Sequence, residues 1–174
     1  MIDLIGKVNN KVTANILYIT GNLTSRSSSK TLKEYINNNT DFKKMLLDYL
    51  PVVKPNFVRR ALLWNIANLV DNYSPMEKEI ILVTLNEECL KNEDSNRAVL
   101  REALIIIVSI SDTTNEVIIN SLYEANIHET VLISFRALSE AMDEKDIILQ
   151  IKLARIITNM TLGNATQIKV KFKV

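Results

Sequence analysis

Trp64 and Asn68 are the residues whose types and spacing best suit ligand binding. An asparagine amide offers one acceptor and two donors, so it can hydrogen-bond both the C=O and the N–H of a peptide unit. A tryptophan face attracts Lys and Arg by cation–π contact and covers their aliphatic stems. Because residues four apart share one face of a helix, the pair predicts a helix face that holds a ligand.

The helix that must position this pair is the segment Phe57–Asp71, FVRRALLWNIANLVD. Its apolar residues recur at helical spacing and predict a buried stripe of Val58, Leu62, Ile66 and Leu69. Trp64 and Asn68 fall roughly 200–240° away from that stripe. Arg60 and Asp71 share this second face.

The same layout recurs at intervals of about 45 residues, which indicates an internal repeat. Asn22 precedes Asn68 by 46 residues, and Asn159 follows it by 91. In the first copy we expect a buried stripe of Val12, Ile16, Ile19 and Leu23, with Tyr18 and Asn22 opposite. In the last copy we expect a stripe of Leu149, Leu153, Ile157 and Met160, with Arg155 and Asn159 opposite.

The interval between them predicts a further copy over 99–112, VLREALIIIVSISD. Its predicted core residues are Val99, Ala103, Ile107 and Ile110, and the opposite face carries Arg101, Ile105, Ser109 and Asp112. Shorter helices are expected in each interval, and Ser74-Pro75-Met76-Glu77 is a strong helix-start signal. With only three Gly and three Pro, the chain is predicted to be all-α. We expect one domain, 1–174, with repeats over 1–28, 29–73, 74–113 and 114–163 and a tail over 164–174.

The residues ALLWNIANL at 61–69 resemble the third helix of an armadillo repeat in the importin-α family, where a W-x-x-x-N signature recurs. The signature is complete at Trp64 and Asn68, and Tyr18 with Asn22 is a near match. This resemblance implies a right-handed armadillo- or HEAT-like α-solenoid of about four repeats. It also implies that the third helices line a groove, where Asn side chains clamp a peptide backbone and Trp rings flank its basic side chains.

The predicted function is a non-catalytic adaptor or scaffold that binds an extended peptide. Asp71 and Asp112 would complement the charge of a basic ligand. The predicted peptide-binding residues are Tyr18, Asn22, Trp64, Asn68, Asp71, Ser109, Asp112, Arg155 and Asn159. One alternative is a structural solenoid segment covered by a larger assembly. Another is an RNA-binding helical repeat that uses Arg60, Arg101 and Arg155.

Other functional classes lack the residues they require. His128 is the only histidine and Cys89 the only cysteine, so neither a two-histidine metal site nor an intramolecular disulfide can form. No glycine-rich phosphate loop is present, and we expect neither an enzyme nor a cofactor. The net charge of +1 provides no overall attraction for nucleic acid.

The longest apolar run, Ala103–Val108, is far shorter than the roughly 20 residues that cross a bilayer. The sequence MIDLIGKVNN is unlike a signal peptide. We therefore expect a cytosolic or nuclear protein with no membrane insertion.

Overall fold

The structure, a computed structural model, describes residues 5, 8–26, 30–92, 94–113, 115–139 and 144–161. The predicted tail over 164–174 lies outside these residues. All regular secondary structure in the described ranges is helical, which confirms the all-α prediction. The helices are α1 (Asn10–Arg26), α2 (Lys30–Asn37), α3 (Thr40–Tyr49), α4 (Asn56–Leu69), α5 (Pro75–Leu85), α6 (Arg97–Ser111), α7 (Glu116–Glu124), α8 (Ile127–Ser139) and α9 (Glu144–Thr161).

Two short segments extend these helices. A 3₁₀ turn, Val70–Asn72, follows α4, and a π-helical turn, Asn86–Leu90, follows α5. The predicted start of α5 is confirmed in detail. The Ser74 hydroxyl accepts from the Glu77 N–H at 3.3 Å, and the Glu77 carboxylate accepts from the Ser74 N–H at 2.7 Å. This capping box satisfies donors that the first turn of a helix leaves open.

The four long helices α1, α4, α6 and α9 pack side by side in that order. Helices α1 and α4 run parallel, because Asn65 and Asn68 of α4 donate to the carbonyls of Leu17 and Gly21, about one turn further along both helices. Residues near the starts of α4, α6 and α9 line one cleft, and Asn159 bonds Ser111 near the ends of α9 and α6, so these helices run in the same direction. The short helices pack on one another and on the long helices: α5 packs on α7, and α8 packs on the long helix α9. The return connections between parallel helices are supplied by these short helices.

The predicted stripes of α4 and α6 are confirmed. Val58, Leu62, Ile66 and Leu69 are fully buried, and so are Val99, Ala103 and Ile107, with Ile110 nearly so. Each of these two helices packs against a long helix on two sides, so its buried surface is wider than a single stripe. In α9, Leu149, Leu153 and Met160 are buried as predicted, and Ile157 is half-buried.

The predicted stripe of α1 is wrong at Val12 and Ile19, whereas Ile16 is buried as predicted and Leu23 is half-buried against the core. Val12 is 41% exposed and Ile19 is 50% exposed. The buried face instead includes Leu17 and the threonines Thr13, Thr20 and Thr24. The hydroxyls of Thr20 and Thr24 donate to carbonyls three and four residues earlier in α1, such as Thr24 Oγ1 to Gly21 O at 2.8 Å. Satisfied in this way, they pack as small apolar groups and allow α1 to lie close to α4.

One buried arginine connects α4 to its flanking segments. Arg59 is only 1% exposed, and its guanidinium donates to Val53 O at 2.7 Å and to Glu88 O at 3.0 Å. Glu88 belongs to the π-helical turn, and its carboxylate lies 3.6 Å from Arg59 Nη2. Arg59 therefore fixes the chain before α4 and the π-helical turn against the same helix.

In the described part of the chain, no helix is both long enough and apolar enough to cross a membrane.

Candidate functional site

The predicted peptide-binding residues lie on the long helices or directly after them, and all of them reach the surface. Tyr18, Trp64, Asn68 and Asn159 are half-buried. The exposed members are Asn22, Asp71, Ser109, Asp112 and Arg155. The structure thus brings them onto one set of adjacent parallel helices, α1, α4, α6 and α9.

Trp64 rests against α1 at its only mid-helix glycine. The rings of Trp64 and Tyr18 lie 5.8 Å apart between centroids at an interplanar angle of 54°. A Cβ on Gly21 would lie 3.3 Å from both the Trp64 ring and Asn65 Nδ2, which is tighter than ordinary contact. The close approach of α1 and α4 under the indole therefore depends on glycine at this position. Both side chains are half-buried, so part of each remains accessible to solvent.

Asn68 uses its donors within the protein. Its Nδ2 donates to Gly21 O at 3.2 Å and lies 3.5 Å from Thr24 Oγ1. Among the described residues no donor reaches its Oδ1, so this acceptor remains open on a half-buried side chain. Asn68 can therefore accept one hydrogen bond from a ligand, but the complete two-way clamp predicted from the sequence is not free.

Asn65 is a second amide that connects α4 to α1, and the sequence analysis did not identify it. It is fully buried, and its Nδ2 donates to Leu17 O at 2.7 Å and to Ala61 O at 2.9 Å. Its Oδ1 is buried without a partner among the described residues. The available signal was its position three residues after Leu62 and four before Leu69, which puts it beside the buried stripe of α4.

Asn159 makes a similar contact between α9 and α6, but to a side-chain hydroxyl instead of a backbone carbonyl. Its Nδ2 donates to Ser111 Oγ at 3.0 Å, and the two residues are 48 positions apart. Asn68 and Gly21 are separated by 47 positions. Asn22 differs from both, since its side chain is exposed and bonds to none of the described residues. Ser109 is also exposed, but its hydroxyl donates to Ile105 O within its own helix.

The charged members of the predicted site are arranged differently from the prediction. Arg155 Nη2 lies 3.0 Å from Asp112 Oδ2, in a pair whose side chains are 59% and 62% exposed. A pair so exposed contributes little to stability, and a charged ligand can compete for it. Asp71 is exposed and forms no ion pair among the described residues. The acidic complement for a basic ligand is therefore mainly Asp71.

An arginine-rich cleft lies at the amino-terminal end of the same helices. Its volume is about 280 Å³, and it is lined by Arg60, Arg97, Ala98, Arg101, Ile148 and Leu149. Glu102 Oε1 lies 3.7 Å from Arg60 Nε and 3.2 Å from Arg101 Nη2. Two of the arginines named for RNA binding are thus paired with one nearly buried carboxylate, and the third, Arg155, is paired with Asp112.

Cys89 does not have the surroundings of a reactive thiol. It is fully buried, and this burial raises its pKa to about 12 despite the nearby Arg59 guanidinium. The neutral thiol is therefore the stable form at physiological pH. In the described part of the chain, no group of three or more His, Cys, Asp or Glu side chains is placed to hold a metal ion.

Comparison with protein family models, with curated proteins and with solved structures finds no match to this chain. The armadillo resemblance therefore rests on the residue pattern and remains a prediction.

Proposed function

We propose that this protein is a non-catalytic adaptor that binds an extended segment of a partner protein. The segment would lie along the face of α1, α4, α6 and α9 that carries the predicted peptide-binding residues, which we call the outer face of these helices. The proposed architecture is an armadillo- or HEAT-like α-solenoid of about four repeats. Its support is the parallel order of the long helices and the similar spacing of their contacts, 47 positions from Gly21 to Asn68 and 48 from Ser111 to Asn159. A lone buried thiol suits a reducing compartment, so we place the protein in the cytosol or nucleus.

The observation that carries the proposal is the aromatic pair beside an unengaged amide. Trp64 and Tyr18 present half-buried rings, and Asn22 lies one helical turn beyond Tyr18 with its amide exposed. Rings of this kind accept aliphatic and cationic side chains, and an exposed amide can pair with a peptide backbone. The open Oδ1 of Asn68 adds one further acceptor on the neighbouring helix.

The alternative is a structural solenoid segment whose outer face is covered by another part of a larger assembly. The observation that favours it is the use of Asn68 and Asn159 as connections between helices, since these amides then have a role without any ligand. RNA binding is the weaker alternative, because Arg60 and Arg101 share Glu102 and Arg155 pairs with Asp112.

Fluorescence provides a direct test, because Trp64 is the only tryptophan in the chain. The probe is a fluorescein-labelled decapeptide of alternating Lys and Thr, which is basic and disfavours helix formation. We expect saturable binding by anisotropy and a parallel change in Trp64 emission. Binding without any change in Trp64 emission, or no binding, would contradict the proposal.

A matched pair of asparagine variants separates binding from stability. Asn22→Ala removes an exposed amide with no partner among the described residues, so we expect unchanged stability and affinity about fivefold lower, equivalent to one or two hydrogen bonds. Asn38→Ala removes another exposed amide, outside the proposed face, and is expected to leave both unchanged. Equal affinity of the two variants would favour the structural alternative.

A further inference from the structure

Helix α5 is apolar on two opposite sides, although the structure covers only one of them. Ile81, Leu82 and Leu85 are fully buried in the core. On the other side, Met76 is 73% exposed, Ile80 is 46% exposed and Val83 is 47% exposed. These three residues recur at the spacing of a single helix face. Apolar side chains grouped on one helix face normally pack against another element, and no described residue covers these three.

This outer face borders a groove between α3 and α5. The groove has a volume of about 720 Å³, and its apolar lining is Leu47, Pro51 and Ile80. By contrast, α5 packs directly on α7 along its other flank. Between α3 and α5, the groove separates the two helices.

The charges around the groove are mainly negative. Asp41, Asp48 and Glu77 line it with a single lysine, Lys44. The neighbouring Lys43 donates from Nζ to Asn72 O at 2.8 Å and lies 5.6 Å from the centre of the Tyr73 ring, and its charge also acts on Glu77. The groove thus combines an apolar floor with an excess of carboxylates at its edges.

We propose that the groove between α3 and α5 binds an amphipathic helix of a partner protein, with Lys or Arg residues flanking its apolar face. The walls are helices of 10 and 11 residues, about 15 Å long, which matches roughly three turns of a docked helix. A helix satisfies its own backbone, and the walls present side chains rather than an open sheet edge. Basic flanking residues would meet Asp41 and Asp48, since the Glu77 carboxylate already accepts hydrogen bonds from Ser74. This surface lies on α3 and α5, so it is independent of the proposed peptide face around Trp64.

The test uses three designed 14-residue peptides, each labelled with fluorescein. One is an amphipathic helix of Leu and Lys, the second replaces every Lys with Glu, and the third has the composition of the first in strict alternation, which abolishes the helical face. We expect the amphipathic Leu–Lys peptide to bind at least tenfold more tightly than either of the others, with an affinity that falls as salt is added.

Two pairs of variants locate the binding. Ile80→Glu is expected to weaken binding about tenfold or more, whereas Ile151→Glu, at a 63% exposed position on α9, is expected to have no effect. Asp41→Asn with Asp48→Asn should weaken binding severalfold. The control, Asp94→Asn with Glu124→Gln, changes the net charge by the same amount at exposed positions away from the groove. It should leave the binding affinity unchanged. Far-UV circular dichroism and thermal melts verify that all four proteins fold.

Several results would overturn the proposal. They are an affinity unaffected by Ile80→Glu, equal binding of the Leu–Glu or alternating peptide, or no binding of the Leu–Lys helix. A dimer in sedimentation that Ile80→Glu converts to monomer would also overturn it, because the occupant would then be a second copy of this chain.

Discussion

Replacing Arg59 with methionine tests whether a buried guanidinium holds three segments of the chain together. Met has a similar length and no charge, so the change removes the hydrogen bonds with little loss of volume. Val53 O then has no donor among the described residues. Glu88 O keeps the Ser95 hydroxyl, which lies 3.3 Å away, and the Glu88 carboxylate keeps Lys54 at 4.0 Å.

The expected loss follows from these remaining partners. Leaving one buried carbonyl unpaired costs about 1–3 kcal/mol, and losing a charge-assisted bond to Glu88 O adds about 1–2 kcal/mol. Some of this is offset, because the guanidinium is itself desolvated and its Nε is buried without a partner among the described residues. We therefore expect Arg59→Met to lower the free energy of unfolding by about 3 kcal/mol. Arg59→Lys keeps the charge but not the planar, forked guanidinium, and we expect it to lower the free energy of unfolding by about 1–2 kcal/mol.

Urea denaturation at neutral pH measures both changes, with far-UV circular dichroism and Trp64 fluorescence as independent probes. Lys54→Met is the matched control, since it removes a positive charge beside the same Glu88 from a side chain that is 76% exposed. It should change stability by less than about 0.5 kcal/mol. If Arg59→Met were as stable as Lys54→Met, the reasoning from unpaired buried carbonyls would be refuted.

Three further predictions concern packing, pH and thiol reactivity. Gly21→Val should lower Tm by about 6 °C and shift Trp64 emission, because the added Cβ would lie 3.3 Å from the indole ring. An unchanged Tm would show that α1 moves away from α4 freely. Partial burial acts to raise the pKa of Glu77, but the Ser74 hydrogen bonds and Lys43 outweigh it and lower that pKa. The Glu77 carboxylate therefore stabilises the fold at pH values above its ordinary pKa. In urea titrations, the difference in unfolding free energy between the wild type and Glu77→Gln should narrow as pH falls from about 6 to about 3. A difference that stays constant with pH would argue against this coupling. Burial raises the pKa of Cys89 to about 12, so a disulfide reagent at about pH 8 should label this thiol only as fast as the protein opens. The labelling rate should rise with urea concentration. Immediate labelling in buffer without urea would contradict the burial of Cys89.

Local patterns predicted the features that depend on residues within one or two helical turns. The capping box at Ser74 and Glu77 and the buried stripes of α4 and α6 formed as expected, because cap hydrogen bonds and helix faces are set by short sequence spacing. The same reasoning failed for α1, where it selected Val12 and Ile19 as core residues. Threonines that bond their own backbone can be buried, and an apolar residue without a neighbour stays exposed, so apolar spacing alone misplaced this face.

The roles of the site residues were decided by tertiary structure. The sequence by itself determined that Trp64 and Asn68 share a helix face, since residues four apart on a helix always do. It did not determine that the Asn68 amide meets Gly21 O, or that Asp112 meets Arg155, because each contact joins two helices more than 40 positions apart. Whether an amide reaches a neighbour or remains open to a ligand depends on the axial offset between packed helices. That offset is fixed by interlocking side chains such as the Trp64 ring against Gly21, and no local pattern encodes it.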